Sequence, residues 1–162
     1  MLTFSESYFG QIRALVGNRM LKVPGMRIIM ENEKGEILLQ LRGDVNKWGL
    51  PSGLPEENED IAETVKREVM EETGLVVKEF FPWGFASSFE SEIFVYPNGD
   101  VIHNYSLAFY TRKWEGALVT DGDETLKLDF FSPGNLPELI PNHLITIKKY
   151  LEFKAGGQFQ LF

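Results

Sequence analysis

Residues 53–75, GLPEENEDIAETVKREVMEETGL, constrain this chain more than any other stretch. They place Gly53, Glu59, Arg67, Glu68, Val69, Glu71, Glu72, Gly74 and Leu75 in the pattern G-x5-E-x7-R-E-U-x-E-E-x-G-U, with U aliphatic. Eight acidic side chains stand here against two basic ones, so the window holds −6 of a net charge of −8. Acidity this local points to a cation site rather than to general solubility.

The window reads as a helix. Asn58, Glu59 and Asp60 supply N-cap and first-turn chemistry, and Gly74 supplies a C-cap. No Pro or Gly interrupts the residues between. At about 100° per residue, Ile61, Ala62, Val65 and Val69 form one apolar stripe. Glu72 falls inside that stripe and Glu68 on its edge, with Glu71 further out. An ionised carboxylate against an apolar face is costly unless something compensates it. Arg67 is the one basic residue nearby on the wheel, so one guanidinium faces three carboxylates. Most Glu-rich helices are simply solvated, but Glu72 is in the wrong place for that and Lys partners at i+4 are scarce. A bound divalent cation resolves the conflict while keeping the oxygens ionised. All-oxygen donors favour Mg²⁺, then Mn²⁺. Zinc is disfavoured, because there is no Cys and the two His, His103 and His143, are far apart.

These residues resemble a complete Nudix box of the MutT-like hydrolases, with every defining position filled. The approach KWGLPSG is similar to that family's W-x-x-P-G-G, with Ser52 where the first glycine is common. DGDETLKLDFFSPGNLP is similar to its closing strand, and the resemblance covers roughly residues 24–153. It implies an α+β fold, an α/β/α sandwich with a mixed β-sheet, and hydrolysis of a diphosphate bond in a nucleoside diphosphate derivative. Nucleoside triphosphates, nucleotide sugars and ADP-ribose-like compounds are the expected substrate types. In that frame Glu68, Glu71, Glu72 and the Gly53 carbonyl are the expected metal ligands. Glu68 is the first candidate for the general base and Glu124 the second, with an outer metal ligand or plain loop acidity as the other readings of Glu124. Arg67 is expected to pair with Glu59 or Glu71 and orient the carboxylates. Arg42 suits a substrate phosphate; Trp48, Phe85, Phe89 and Tyr105 suit a base, although aromatics in a sheet are core more often. The Pro that ADP-ribose hydrolases often carry 15 or 16 residues past the box is replaced by Glu90 and Ser91, so the substrate is not legible. Two alternatives remain on this scaffold. One is a non-catalytic nucleotide sensor, although no box carboxylate is missing. The other is an isoprenoid diphosphate isomerase, whose chemistry needs a Cys that this chain lacks.

Composition narrows the setting. A 162-residue chain with 43% hydrophobic and 25% charged residues reads as one globular domain over 1–162, with an N-terminal extension 1–23 and a tail 154–162. The tail is expected to fray or to serve an oligomer contact. No apolar run approaches the ~18 residues of a membrane span, and the N-terminus lacks signal-peptide character. A cysteine-free chain is compatible with the cytoplasm. Net acidity argues against binding a nucleic-acid duplex. The expected partner is a small nucleotide-type molecule, and a homodimer is the commonest assembly, with 80–96 or the tail as its contact.

Strands are expected at 26–31 and 36–41, joined as a hairpin by 32–35, and at 75–81 and 85–89, interrupted at Pro82. Further strands are expected at 93–96 and 101–111, around a turn at 97–100, and at 126–131. Helices are expected at 5–17, through Tyr8, Phe9, Ile12 and Leu15, and at 143–153, through Leu144, Ile147, Tyr150 and Leu151. His103 reads as a cross-strand partner.

Overall fold

The computed structural model describes residues 3–96, 98–120 and 122–162. Along them run α1 (Tyr8–Val16), β1 (Leu21–Met30), β2 (Ile37–Arg42), β3 (Lys47–Gly49), β4 (Ser52–Gly53), α2 (Ile61–Thr73) and β5 (Leu75–Ala86). The remainder is β6 (Ile93–Val95), β7 (Val101–Gly116), β8 (Thr125–Phe131), α3 (Pro141–Gly156) and β9 (Gln160–Leu161). The architecture is α+β with a mixed sheet. The larger sheet runs β4-β1-β7-β5-β9, with β6 added on β7, and β3-β2-β8 form a smaller one. β1 and β7 are parallel, whereas β5 is antiparallel to β7.

The two-residue period of the strands sorts the core onto two faces. Met26, Ile28 and Met30 of β1 join Val65 and Val69 of α2, together with Leu38, Leu75, Val77 and Phe109. Ile29 of β1 joins Ile147 and Tyr150 of α3, together with Leu39, Leu50, Trp83 and Ala108. Each helix therefore covers one face of the same sheet. Among the described residues no helix is long and apolar enough to cross a membrane.

α2 begins and ends as its sequence indicates. The Asp60 carboxylate accepts from the Ala62 and Glu63 N–H groups at 2.8 and 2.9 Å, and Glu63 accepts in return from Asp60 N–H at 3.0 Å. Gly74 closes the helix at φ 74°, the left-handed conformation that glycine adopts without strain.

Several local expectations are corrected. The turn at 32–35 forms, closed by the Asn32 N–H to Glu36 O bond and the Glu31–Ile37 bridge, but β1 and β2 then part into different sheets. β5 runs through Pro82 without a break; register shifts on either side absorb the missing N–H, and Phe89 lies beyond the strand. α1 turns Gly10 and Arg13 inward and leaves Tyr8 and Leu15 exposed. α3 buries His143, Thr146, Ile147 and Tyr150, while Leu151 faces out. In the 97–100 turn Asp100 O accepts from Tyr96 N–H at 2.8 Å; Pro97, like Asp121 ahead of β8, lies outside the described residues.

The tail is not frayed. β9 pairs in parallel with Gly84 and Phe85, and the Phe162 ring stacks on Trp83 at 5.8 Å and 15°. Phe162 O also accepts from Ser87 and Ser88 N–H. The half-buried ring packs on Trp83, a contact that no local sequence pattern specifies. Phe162→Ala should therefore lower stability by about 2 kcal/mol, read as an earlier urea midpoint; an unchanged midpoint would remove the tail from the folded unit.

Candidate active site

A cavity of about 480 Å³ gathers the acidic residues of α2, the β3–β4 approach, the end of β2 and the start of α3. Gly53, Arg67, Glu68, Glu71 and Glu72 all line it, as do Arg42 and Glu124.

Glu72 is 8% exposed, as its place in the apolar stripe implies. Its Oε2 accepts from the Ser52 N–H at 2.9 Å, and its Oε1 lies 3.8 Å from Arg42 Nη1. Burial pushes its carboxyl well above the usual carboxylate range, and the Glu68 charge pushes further; Arg42, Gln40 and the Ser52 N–H pull it back only in part. Glu68 is raised for the same first reason, burial, against the opposing pull of Arg67. Two neighbouring carboxyls that resist ionisation mark a local deficit of positive charge.

Arg67 is the hub of the outer side. Its Nε and Nη2 donate to Glu59 at 2.5 and 2.9 Å, and Nη1 lies 2.9 Å from Glu68 and 3.0 Å from Glu71. Nη2 also donates to Leu54 O at 2.9 Å, which fixes the loop ahead of the helix. One guanidinium thus holds three carboxylates, Glu59 and Glu71 as expected and Glu68 beside them, while Glu72 is out of its reach. Gly53 is required by close approach: a Cβ there would stand 1.9 Å from Glu68 Oε1 and 2.0 Å from its Cδ. Ser52 lies in β4 opposite Arg27, and its φ is not positive, so this position does not need the glycine common in the resembled motif.

The donor set fits a hard divalent cation. Its atoms are oxygens, the Glu68 and Glu72 carboxyls stay raised even with Arg67 and Arg42 beside them, and the bare Gly53 backbone lies against Glu68. Among the described residues no three His, Cys, Asp or Glu side chains form a closed cage. Glu71, bonded to Arg67 through Oε2 at 3.0 Å, lines the same cavity.

Arg42 ends β2 beside the cavity and is held by Asp44 through bonds of 3.0 and 2.9 Å. Glu124 reaches the cavity rim, where its carbonyl accepts from Gly43 N–H at 2.9 Å. Trp48 is placed elsewhere. It packs edge-on against Phe131 at 4.8 Å, within the α3-side cluster, and is not among the residues lining the cavity. Phe85, Phe89 and Tyr105 are also away from the cavity; they gather around His103 and Lys22 instead. His103 is buried with Nε2 donating to Ser87 O at 2.9 Å.

The inner wall was not legible in sequence. Arg27, from β1, makes a buried two-point pair with Glu92 and donates to Thr146 at 3.1 Å. Asn142, at the start of α3, donates to Glu92 at 3.3 Å, while its buried Oδ1 has no partner among the described residues. His143 accepts through Nδ1 from Leu50 N–H at 2.8 Å, so its proton is on Nε2; burial and the nearby Arg27 and Arg42 keep the ring neutral. Charged or amide residues on apolar elements were the available signal, but their partners lie 50 to 119 residues away.

The chain matches the model of the NUDIX domain over residues 21–152. It is 33% identical over 83% of its length to a Bacillus subtilis protein named provisionally as an 8-oxo-dGTP diphosphatase, covering 81% of that protein. It is 34% identical over 79% of its length to an ADP-ribose pyrophosphatase of Methanocaldococcus jannaschii, covering 72% of it. A MutT NUDIX hydrolase from Burkholderia pseudomallei shares the fold, with a TM-score of 0.67 and 22% identity over 78% of this chain and 96% of that one. The acid-lined helix, its capped ends and its glycine-backed glutamate thus stand in a chain that belongs to the NUDIX domain family.

Proposed function

We propose that this protein is a magnesium-dependent hydrolase that cleaves a diphosphate bond in a nucleotide derivative. The observation that carries the reading is the pair Glu68 and Glu72, one helical turn apart, Glu72 buried and Glu68 partly so, whose carboxyls stay raised even with Arg67 and Arg42 beside them. The names of the two relatives, an 8-oxo-dGTP diphosphatase and an ADP-ribose pyrophosphatase, have a nucleotide derivative in common. Nucleoside triphosphates, nucleotide sugars and ADP-ribose-like compounds therefore remain the substrate types. Residues 1–162 act as one unit, and the lack of cysteine suits the cytoplasm.

Glu68, Glu71, Glu72 and the Gly53 carbonyl are the oxygens that would hold the cation. When bound, the cation neutralises the charge of the diphosphate. Arg67 keeps Glu68 and Glu71 oriented while Glu59 and Leu54 O keep Arg67 in place. Arg42 meets phosphate oxygens in exchange for Asp44. Glu68, its carboxyl raised toward neutrality by burial, takes the proton of the attacking water. The water oxygen bonds to phosphorus, the P–O bond of the diphosphate breaks, and its electron pair leaves with the departing phosphate oxygen. Glu124 lines the same cavity as the alternative proton acceptor. The unpartnered Asn142 Oδ1 is suited to an N–H donor of the substrate.

The direct test is release of phosphate or pyrophosphate from a panel of nucleoside diphosphate derivatives. Turnover should require Mg²⁺ and stop with EDTA; metal-independent turnover, or none on any member, sinks the reading. Glu68→Gln and Glu72→Gln should each lower kcat/KM by about a hundredfold or more. Both raised carboxyls bind more protons in the folded than in the unfolded chain. Metal-free stability should therefore fall as pH rises from about 5 through neutrality, with a shallower slope in the Gln variants. A pH-independent melting temperature in the parent would contradict the assigned burial. Gly53→Ala should displace Glu68 and cost activity by about a hundredfold, measured as kcat/KM, with the fold retained by circular dichroism.

A further inference from the structure

The N-terminal segment, ahead of the residues matched by the family, reaches into the same cavity. Phe4 and Phe9 line it together with Phe94 and Tyr96, at the opposite character from the carboxylates. Phe4 and Phe9 meet edge to face at 6.1 Å and 72°, and Phe94 and Tyr96 do so at 4.8 Å and 72°. None of the four is core. Phe4 is 59% exposed and the other three are half-buried. Four aromatic rings left partly open around one cavity make an apolar patch, the kind of surface that takes a ligand.

The N-terminal half of that patch is held by specific contacts. Ser7 accepts from Gly10 N–H at 3.0 Å and donates to Phe4 O at 2.8 Å, folding the Phe4 turn back onto α1. Gly10 permits the fold: a Cβ there would stand 1.7 Å from Phe4 O. Tyr8 N–H donates to Glu56 at 2.7 Å, which ties α1 to the loop between Gly53 and α2. At the other end Arg13 donates to Gly17 O, Arg19 O and Val101 O, at 2.9, 2.7 and 3.0 Å, and lies 5.3 Å over the Phe9 ring. α1 is thus fastened both to the acidic loop and to the start of β7.

We propose that this N-terminal segment completes the substrate site, with Phe4 and Phe9 joining Phe94 and Tyr96 to take the nucleobase while the phosphates lie against Glu68 and Glu72. The proposal rests on the nucleotide reading above. Aromatic faces accept any base by stacking, so these rings supply affinity with little discrimination among bases. The four aromatics named from sequence as base partners do not line the cavity; these four do.

The test is calorimetric binding of ADP, GDP and UDP with Mg²⁺ to the full chain and to Phe4→Ala, Phe4→Leu and Phe4→Trp, beside the rise in Tm that Mg²⁺ alone produces. Phe4→Ala and Phe4→Leu should weaken all three nucleotides about tenfold, Phe4→Trp should restore them, and the Mg²⁺ shift should be unchanged in every variant. Unchanged nucleotide affinity in Phe4→Ala and Phe4→Leu overturns the base subsite. Loss of the Mg²⁺ shift together with affinity also overturns it, because Phe4 would then act on the whole site. If the parent chain binds none of the nucleotides, the functional reading itself falls, and this proposal with it.

Discussion

A carboxylate buried where the fold has no cation to spare is the constraint that organises this protein. Glu72 is fixed by the Ser52 N–H on one side and approached by Arg42 on the other, and neither restores the ionisation that burial removes. The same bond ties α2 to β4, one residue from the backbone of Gly53. Glu68 then rests on the glycine, in space that any side chain would fill. Replacing these carboxyls by apolar groups would relieve the helix, and it is their presence that the proposed cation would explain.

Around that centre the polar groups divide the work. Arg67 shares its charge among Glu59, Glu68, Glu71 and the loop carbonyl, and so leaves Glu72 to the more distant Arg42. On the far side, Arg27 and Glu92 neutralise each other in the core and form a wall that carries Asn142. His143, kept neutral, contributes an acceptor to the backbone of Leu50 and thereby holds the approach to Ser52 and Gly53. A charged imidazole could not accept that bond.

The helix 61–73, its caps and its acidic face were legible because each depends on contacts within a few residues, where sequence spacing translates directly into geometry. The buried position of Glu72 followed from the 3.6-residue period alone. Trp48, Phe85, Phe89 and Tyr105 were plausible base partners only while their neighbours were unknown; packing against Phe131 or around His103 gives them other places. Phe4 and Phe9 were not read as base partners, because Phe4 faces solvent and Phe9 read only as part of the apolar face of a short helix, whose buried residues prove to be Gly10 and Arg13.

By itself, the sequence determined the acidic helix, its ends, the approximate places of most strands and the local excess of negative charge, since all are functions of local order. Tertiary structure alone decided that β1 and β2 separate into two sheets, that Phe162 stacks on Trp83, and that Arg27 meets Glu92. Those contacts join residues many positions apart, and their partners are selected by which faces the sheet brings together. The shape of the cavity belongs to this second class. Its walls come from both ends of the chain and from α2, and only the folded sheet sets them around one space.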